Sequence, residues 1–339
     1  MDVRTRPEAG RKRTPAARTA TWSLLPLGLL GGFAGGRALR PARALPLEPA
    51  LDAERESLQI PFGMLNYYKA GPSEGTPLLL IHSVNAAASA YEVKPLFEHY
   101  ARWRPVYALE LPGFGFSERH DRIYTPRLMT DAIVAWLDQI RIRHGHFPVD
   151  AMALSLSSEF LARAASEHPT SFRSLALINP TGFESERHRG GSAGMTHGRP
   201  AMRDIVSFPL WSRALFDLLV SRPSLRLFLQ KAWGSGAVDE GLLAYDYASA
   251  HQPGAEHAPF SFLAGFLFSR DAWTLYRDLP MPVWLAHGVR GDFVDVGRKR
   301  EVASLPNWTV QVFPTGALPQ FEQLDEVAAA YDGFIESLD

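Results

Sequence analysis

Apolar residues along this chain fall into contrasting patterns. Predominantly apolar runs bounded by turn-forming residues occupy Pro77–His82, Pro105–Leu111, Val149–Leu154, Ser174–Ile178, Pro282–Ala286 and Val310–Phe313. Such runs, lacking apolar–polar alternation, predict strands buried on both faces. Leu58–Tyr68 predicts an earlier hairpin with Gly63 at its turn. Helical spacing fills the gaps at Pro126–Arg141, Leu156–Ser166 and Pro319–Leu338. Strand and helix in alternation, with short joints, predict an α/β fold: a mostly parallel sheet covered by helices, with ligands beyond the carboxyl ends of the strands.

The rhythm breaks between Pro180 and Leu279, where no buried-strand run occurs. After a Gly/Arg-rich link at Arg187–Arg199, helical patterns dominate at Phe208–Leu219, Ser224–Trp233 and Phe260–Phe268. The expected organisation is a leader over residues 1–50, an α/β core over 51–182 and 280–339, and an inserted helical cap over 183–279. Trp211, Phe216, Trp233, Phe260, Phe262, Phe266 and Phe268 give that cap an apolar character suited to roofing a hydrophobic pocket.

Charge separates the leader from the rest. The chain has 339 residues, 35 basic against 36 acidic. Residues 1–50 hold nine basic and three acidic residues, a net +6; residues 51–339 hold 26 and 33, a net −7. No basic excess on the body suits nucleic acid. Between Arg18 and Arg37 lies an uncharged stretch, residues 19–36, which as a helix would rise about 27 Å, close to a hydrocarbon core of about 30 Å. Its glycines and Pro26 oppose a helix. Ala42-Arg43-Ala44 resembles a signal-peptidase site, while Arg37, Arg40 and Arg43 oppose translocation. A membrane anchor, a cleaved export signal and an unstructured leader are the readings this leaves, the last compatible with a cytoplasmic protein.

The candidate chemistry lies at strand ends. Val149–Leu154 runs through Ala153-Leu154-Ser155-Leu156-Ser157 directly into a helix, a strand–turn–helix elbow that strains its central residue and needs small neighbours. Ser155 would project above the helix N-terminus, with the Leu156 amide facing a developing oxyanion. Cys is absent, which excludes thiolate nucleophiles and disulfides. No His/Asp/Glu spacing suggests a metal, and no glycine-rich loop suggests a nucleotide cofactor, so none is expected.

Two further strand ends, Ile81-His82-Ser83-Val84 and Glu110-Leu111-Pro112-Gly113-Phe114-Gly115-Phe116-Ser117, complete a set that resembles the α/β-hydrolase fold superfamily, in its capped, esterase- and epoxide-hydrolase-like branch. The resemblance runs from about Leu58 to Leu338. It implies Ser155 as nucleophile, the Val84 and Leu156 amides as oxyanion hole, and Asp292, or failing that Asp295, as the acid. Ser83, Glu110, Ala153 and Ser157 depart conservatively from the family's residues. A larger departure follows the last strand, in Thr315-Gly316-Ala317-Leu318-Pro319: the family's catalytic histidine position is Ala317, and no histidine follows His287. His82, His287 and His197 are the substitute bases the sequence offers; His99, His120, His144, His146 and His168 fall on helices or distal loops. A serine without a base is a poor nucleophile at neutral pH. The expected function is therefore a serine hydrolase of a small apolar carboxyl ester, or a related acyl or C–C bond, with an incomplete triad. A hydrolase-fold protein that only binds a hydrophobic ligand or a protein, and a cofactor-free lyase or oxygenase, are the alternatives.

Overall fold

The structure, a computed structural model, describes residues 44–145, 148–183, 192, 194–294 and 297–338. Eight strands form one sheet: β1 (Glu54–Ile60), β2 (Gly63–Ala70), β3 (Leu78–Ile81), β4 (Val106–Glu110), β5 (Val149–Leu154), β6 (Phe172–Ile178), β7 (Val283–His287) and β8 (Trp308–Val312). Their spatial order is β1-β2-β4-β3-β5-β6-β7-β8. The β1–β2 and β2–β4 pairs are antiparallel and the others parallel. Alternate residues of each interior strand feed opposite faces, as the period of two requires. Leu79, Ile81, Leu109, Ala151, Ala153 and Leu285 enter one core. Leu78, Leu80, Ala108, Met152, Leu154 and Ala286 enter the other. This two-sided burial is why the strands read as continuous apolar runs.

The core helices are α1 (Lys94–Tyr100), α2 (Pro126–His144) and α3 (Ser157–Glu167). Thr125 caps α2, accepting from the Leu128 amide, and Pro126 sits in its first turn, where the missing N–H costs nothing. The insertion holds α4 (Pro200–Val206), α5 (Ser212–Leu219), α6 (Arg222–Trp233), α7 (Glu240–Ala250), α8 (His257–Leu263) and α9 (Ala272–Arg277), and the chain ends through α10 (Lys299–Val302), α11 (Pro319–Glu322) and α12 (Leu324–Glu336). The cap has its own apolar cluster, in which Phe216, Trp233 and Phe260 are buried.

The body starts earlier than residue 51. Gln252 on the cap donates to the Leu45 carbonyl, Tyr245 Oη donates to the Glu48 carbonyl, and the Ala50 amide donates to Tyr68 Oη. Residues 45–50 therefore belong to the folded unit rather than to the leader. The uncharged stretch 19–36 lies outside the described residues. Among those described, no helix is long and apolar enough to cross a membrane.

Candidate functional site

Ser155 joins β5 to α3 with φ +51, the left-handed region that a residue bearing a Cβ rarely adopts. Such strain costs about 1–3 kcal/mol and persists only where its surroundings enforce it. Here its amide donates to the Ile178 carbonyl at 2.8 Å, and its carbonyl accepts from the Ser158 amide at 3.1 Å. Ser157, where the family has glycine, puts its hydroxyl to use: it donates to the His82 carbonyl at 2.6 Å, tying the elbow to the turn after β3. Among the described residues the Ser155 hydroxyl has no hydrogen-bond partner, and neither do the Leu156 and Val84 amides.

The turn after β3 is built around a buried carboxylate. Glu92 accepts from the Ser83 amide at 2.7 Å, the Ser83 hydroxyl at 2.9 Å and the Asn85 side-chain amide at 2.9 Å. Burial pushes its carboxyl up to about 7 even against those donors. Asp246, from α7, is also buried; desolvation, and after it the Glu92 charge, hold it well above the ordinary carboxylate value. Gln320 donates to the Glu92 carbonyl at 2.9 Å. The Pro-Gly turn after β4 closes a third side: Glu110 accepts from the Phe116 amide at 2.7 Å, and its carboxyl too is pushed up to about 7 by burial. A Cβ on Gly115, at φ +53, would meet that carboxyl at 2.0 Å, so only glycine fits.

His82 is consumed by this scaffold. Its Nε2 accepts from the Leu111 amide at 3.1 Å, which puts the ring proton on Nδ1, 2.6 Å from the Ser83 carbonyl. Burial holds its pKa down to about 4. With no lone pair to spare, His82 is a tie between turns and not a base. His287 is occupied in the same way: Nδ1 lies 2.5 Å from the Gly288 carbonyl and Nε2 3.1 Å from Lys299 Nζ, with burial, and then the Lys299 charge, lowering its pKa. The half-buried His197 is fixed through its amide to the Phe268 carbonyl, in the link before α4. Among the described residues none of the three is hydrogen-bonded to the Ser155 hydroxyl. His146, His188 and Asp295 lie outside the described residues.

The turns after β7 and β8 are joined to each other and to the cap. The Thr315 carbonyl accepts from the amides of Val289 and Arg290. Asn179, at φ +46 after β6, accepts from the Gly288 amide at 3.1 Å and donates to the Ala317 carbonyl at 2.7 Å. A helix leaves its last carbonyls without intrahelical partners. At the end of α6 they find these turns: Lys231 O accepts from the Asp292 amide at 3.0 Å, and Ala232 O from the Ala317 amide at 2.8 Å. The approach is backbone on backbone, since a Cβ on Gly316 would meet Ala232 O and Trp233 Cα at 2.5 Å.

At this joint one candidate position faces water and the other faces the cap. The Asp292 side chain is 68% exposed and lies 3.6 Å from Lys231 Nζ. Ala317 packs on the cap's apolar cluster. The aromatics expected to roof a pocket are spent differently: Phe216 and Phe260 pack edge to face, Phe262 pairs with Phe268, and Trp211 faces outward. Clefts of about 290 and 350 Å³ open elsewhere, beside Tyr91 and Lys94 and beside Arg143 and His144, and neither is lined by Ser155. Sequence reasoning missed Glu92, Asn179 and Asp246. Only Asn179 left a signal, as an asparagine before proline at a strand end, a residue type that tolerates positive φ.

The family model of the alpha/beta hydrolase fold matches residues 76–254, just over half of the chain. No curated protein sequence matches significantly. Among solved structures, a serine hydrolase involved in carbazole degradation aligns at 15% identity and TM-score 0.65, over 84% of this chain and 99% of its own. A meta-cleavage product hydrolase from Pseudomonas fluorescens aligns at 17% and 0.64, over 84% and 98%. An epoxide hydrolase aligns at 19% and 0.66, over 85% and 100%.

Proposed function

This chain belongs to the α/β-hydrolase fold family, and we propose that its Ser155 site binds the carbonyl or carboxylate of a small apolar acyl compound without a serine–histidine–aspartate relay. The observation that carries this reading is the division of the site. The Ser155 hydroxyl and the Val84 and Leu156 amides are left unpartnered among the described residues, whereas the relay's last position is an alanine packed in apolar surroundings. Two amides, Leu156 at the start of α3 and Val84 in the turn after β3, suit a negative oxygen, each worth about 1.5–3 kcal/mol when the acceptor is charged. Ala87, three residues after Val84, lies in the cap's apolar cluster, which favours a hydrocarbon remainder over a sugar.

4-Phenylbutyrate titrated into the full chain by calorimetry is expected to bind saturably and to lose affinity in Ser155→Leu. A fluorophosphonate probe is expected to leave the wild-type serine unlabelled. Ala317→His should gain labelling only weakly, because Asp292 points to solvent and would not orient a new imidazole.

A second reading, a serine hydrolase, is favoured by one observation: the elbow strain at Ser155 is retained. Fluorophosphonate labelling of the wild type that disappears in Ser155→Ala would establish that reading and overturn the first.

A further inference from the structure

The cap helix α7 meets the core over two buried carboxyls. It lies on the turn Ala90–Val93, where Tyr91 stacks on Tyr245 with centroids 5.3 Å apart and a Cβ on Gly241 would meet Tyr91 Oη at 2.2 Å. Asp246 of α7 and Glu92 of this turn are each 3% exposed. Glu92 has its three donors from Ser83 and Asn85. The Asp246 carboxyl has none: among the described residues it makes no hydrogen bond and no ion pair. Leu242, Leu243 and Ala250, one helical turn to either side of it, pack in the cap's apolar cluster with Ala86 and Ala87, so the face it shares is apolar.

The other charged and titratable groups around α7 are engaged elsewhere. Arg119, after β4, donates to the Ser249 and Gly115 carbonyls, and it and the exposed Arg55 of β1 offset the Glu110 charge. Arg226 of α6 pairs with Glu240, Arg222 lies over the Tyr247 ring, and Lys94 of α1 lies over the Tyr91 ring. Asp239 caps α7, and His251 at its end is held on the Tyr247 carbonyl. Burial raises the phenols of Tyr68, Tyr91 and Tyr245 above their ordinary value and so keeps them neutral. None of these groups is a partner of Asp246.

An unpaired buried charge is far costlier than a protonated carboxyl, so the closed contact holds Asp246 neutral. Desolvation, and after it the Glu92 charge, raise Asp246 well above its ordinary value, and burial pushes Glu92 up to about 7. With α7 lifted, both carboxyls return to water and to their ordinary values. Opening therefore releases protons. The closed contact is firmest below the ordinary carboxylate values and weakens as pH rises, through about 7 for Glu92. Each proton released favours opening by up to about tenfold per pH unit.

We propose that Asp246 and Glu92 form a proton-held latch, which keeps α7 down on the core in acid and releases it as pH rises, uncovering the turn that carries Val84. The latch does not depend on what Ser155 binds.

Hydrogen exchange of the full chain between pH 5 and 8 tests it, read peptide by peptide as protection, from which the amide's own pH dependence is removed. Peptides of α7 are expected to lose at least about tenfold in protection across that range and to fall below those of β6, which open only with the whole fold. Asp246→Asn, neutral at every pH, should show a smaller loss. Asp246→Leu, which buries no polar group there, should in addition raise α7 protection at pH 8. Constant α7 protection overturns the proposal. So does α7 protection that follows β6 at every pH, which would show global unfolding alone, or a loss of the same size in both variants. If neither variant folds, the wild-type comparison of α7 with β6 decides.

Discussion

The two sides of the Ser155 site are built on different physical terms. On one side stand the elbow and the turns after β3 and β4, where buried polar groups hold one another: Ser157 to His82, His82 to Leu111, Ser83 and Asn85 to Glu92. On the other stand the turns after β7 and β8, where Asp292 faces water and Ala317 faces the cap. The first side retains backbone strain, which needs enforcing contacts. The second has its amides engaged by α6 carbonyls. Distinct turns therefore maintain the two sides, so on the proposed reading a carbonyl-binding half can stand without a proton-transfer half.

The sharpest way to break this contrast is at Glu92. Glu92→Ala orphans the Ser83 amide and hydroxyl and the Asn85 side chain, at about 1–3 kcal/mol for each buried group left unpaired. A loss of about 3 kcal/mol in urea unfolding is expected, with ligand binding lost as well; a loss under about 1 kcal/mol would mean the oxyanion turn stands without it. The pH dependence follows from the same carboxyl. With the folded value near 7 and the ordinary value 4.5, its contribution is full below pH 4.5 and lost as pH rises through 7. Glu110 runs the same way. His82, held near 4 against 6.5, runs oppositely, its contribution full above 6.5 and lost as pH falls through 4. Glu92→Gln should flatten the decline between about pH 4.5 and 7 by up to about 3 kcal/mol.

The opposite side is probed by Gly288→Ala, whose Cβ would sit 2.0 Å from Gly316 O and 2.5 Å from Thr315 O. Overpacking there should cost about 2 kcal/mol in thermal or urea unfolding while leaving ligand affinity at Ser155 intact. Coupled losses of stability and affinity would show that the two sides are not independent. Ser155→Gly relieves the positive φ and should raise stability by about 1 kcal/mol while weakening ligand binding; Ser155→Ala, which keeps the Cβ, should bring no gain. The smallest effect is expected at Asp292→Ala, under about 0.5 kcal/mol, since its contact with Lys231 is an exposed pair. No change in ligand affinity should accompany it.

The fold was readable because the interior parallel strands β3 to β7 carry predominantly apolar runs; β8 overlaps the sixth run, but as the edge strand it is not buried on both faces, and only Trp308 of its five residues is buried. The cap was read less well. α7 escaped notice because its sequence, EGLLAYDYASA, buries Tyr245, Asp246 and Ser249 alongside Leu242 and Leu243, which blurs any single apolar stripe. At the site, strand-to-helix joining between small residues sufficed to mark Ser155 as the elbow, and its φ of +51 is the geometry that pattern demands. Ala317 was visible as a residue type. Where Asp292 points, and that His82 and His287 are fully engaged, was not legible. Those facts depend on partners such as Leu111, Lys231 and Lys299, which lie near them only in three dimensions.

The meeting of α6 with the turns carrying Asp292 and Ala317 also bears on kinetics. If α6 is to part from these turns, the hydrogen bonds from the Asp292 and Ala317 amides to the Lys231 and Ala232 carbonyls must both break. Ligand exchange would then be gated by a rare opening, so that arrival and departure are both slow while affinity is unchanged. A guest in this site would be distinguished less by how tightly it is held than by how long it stays.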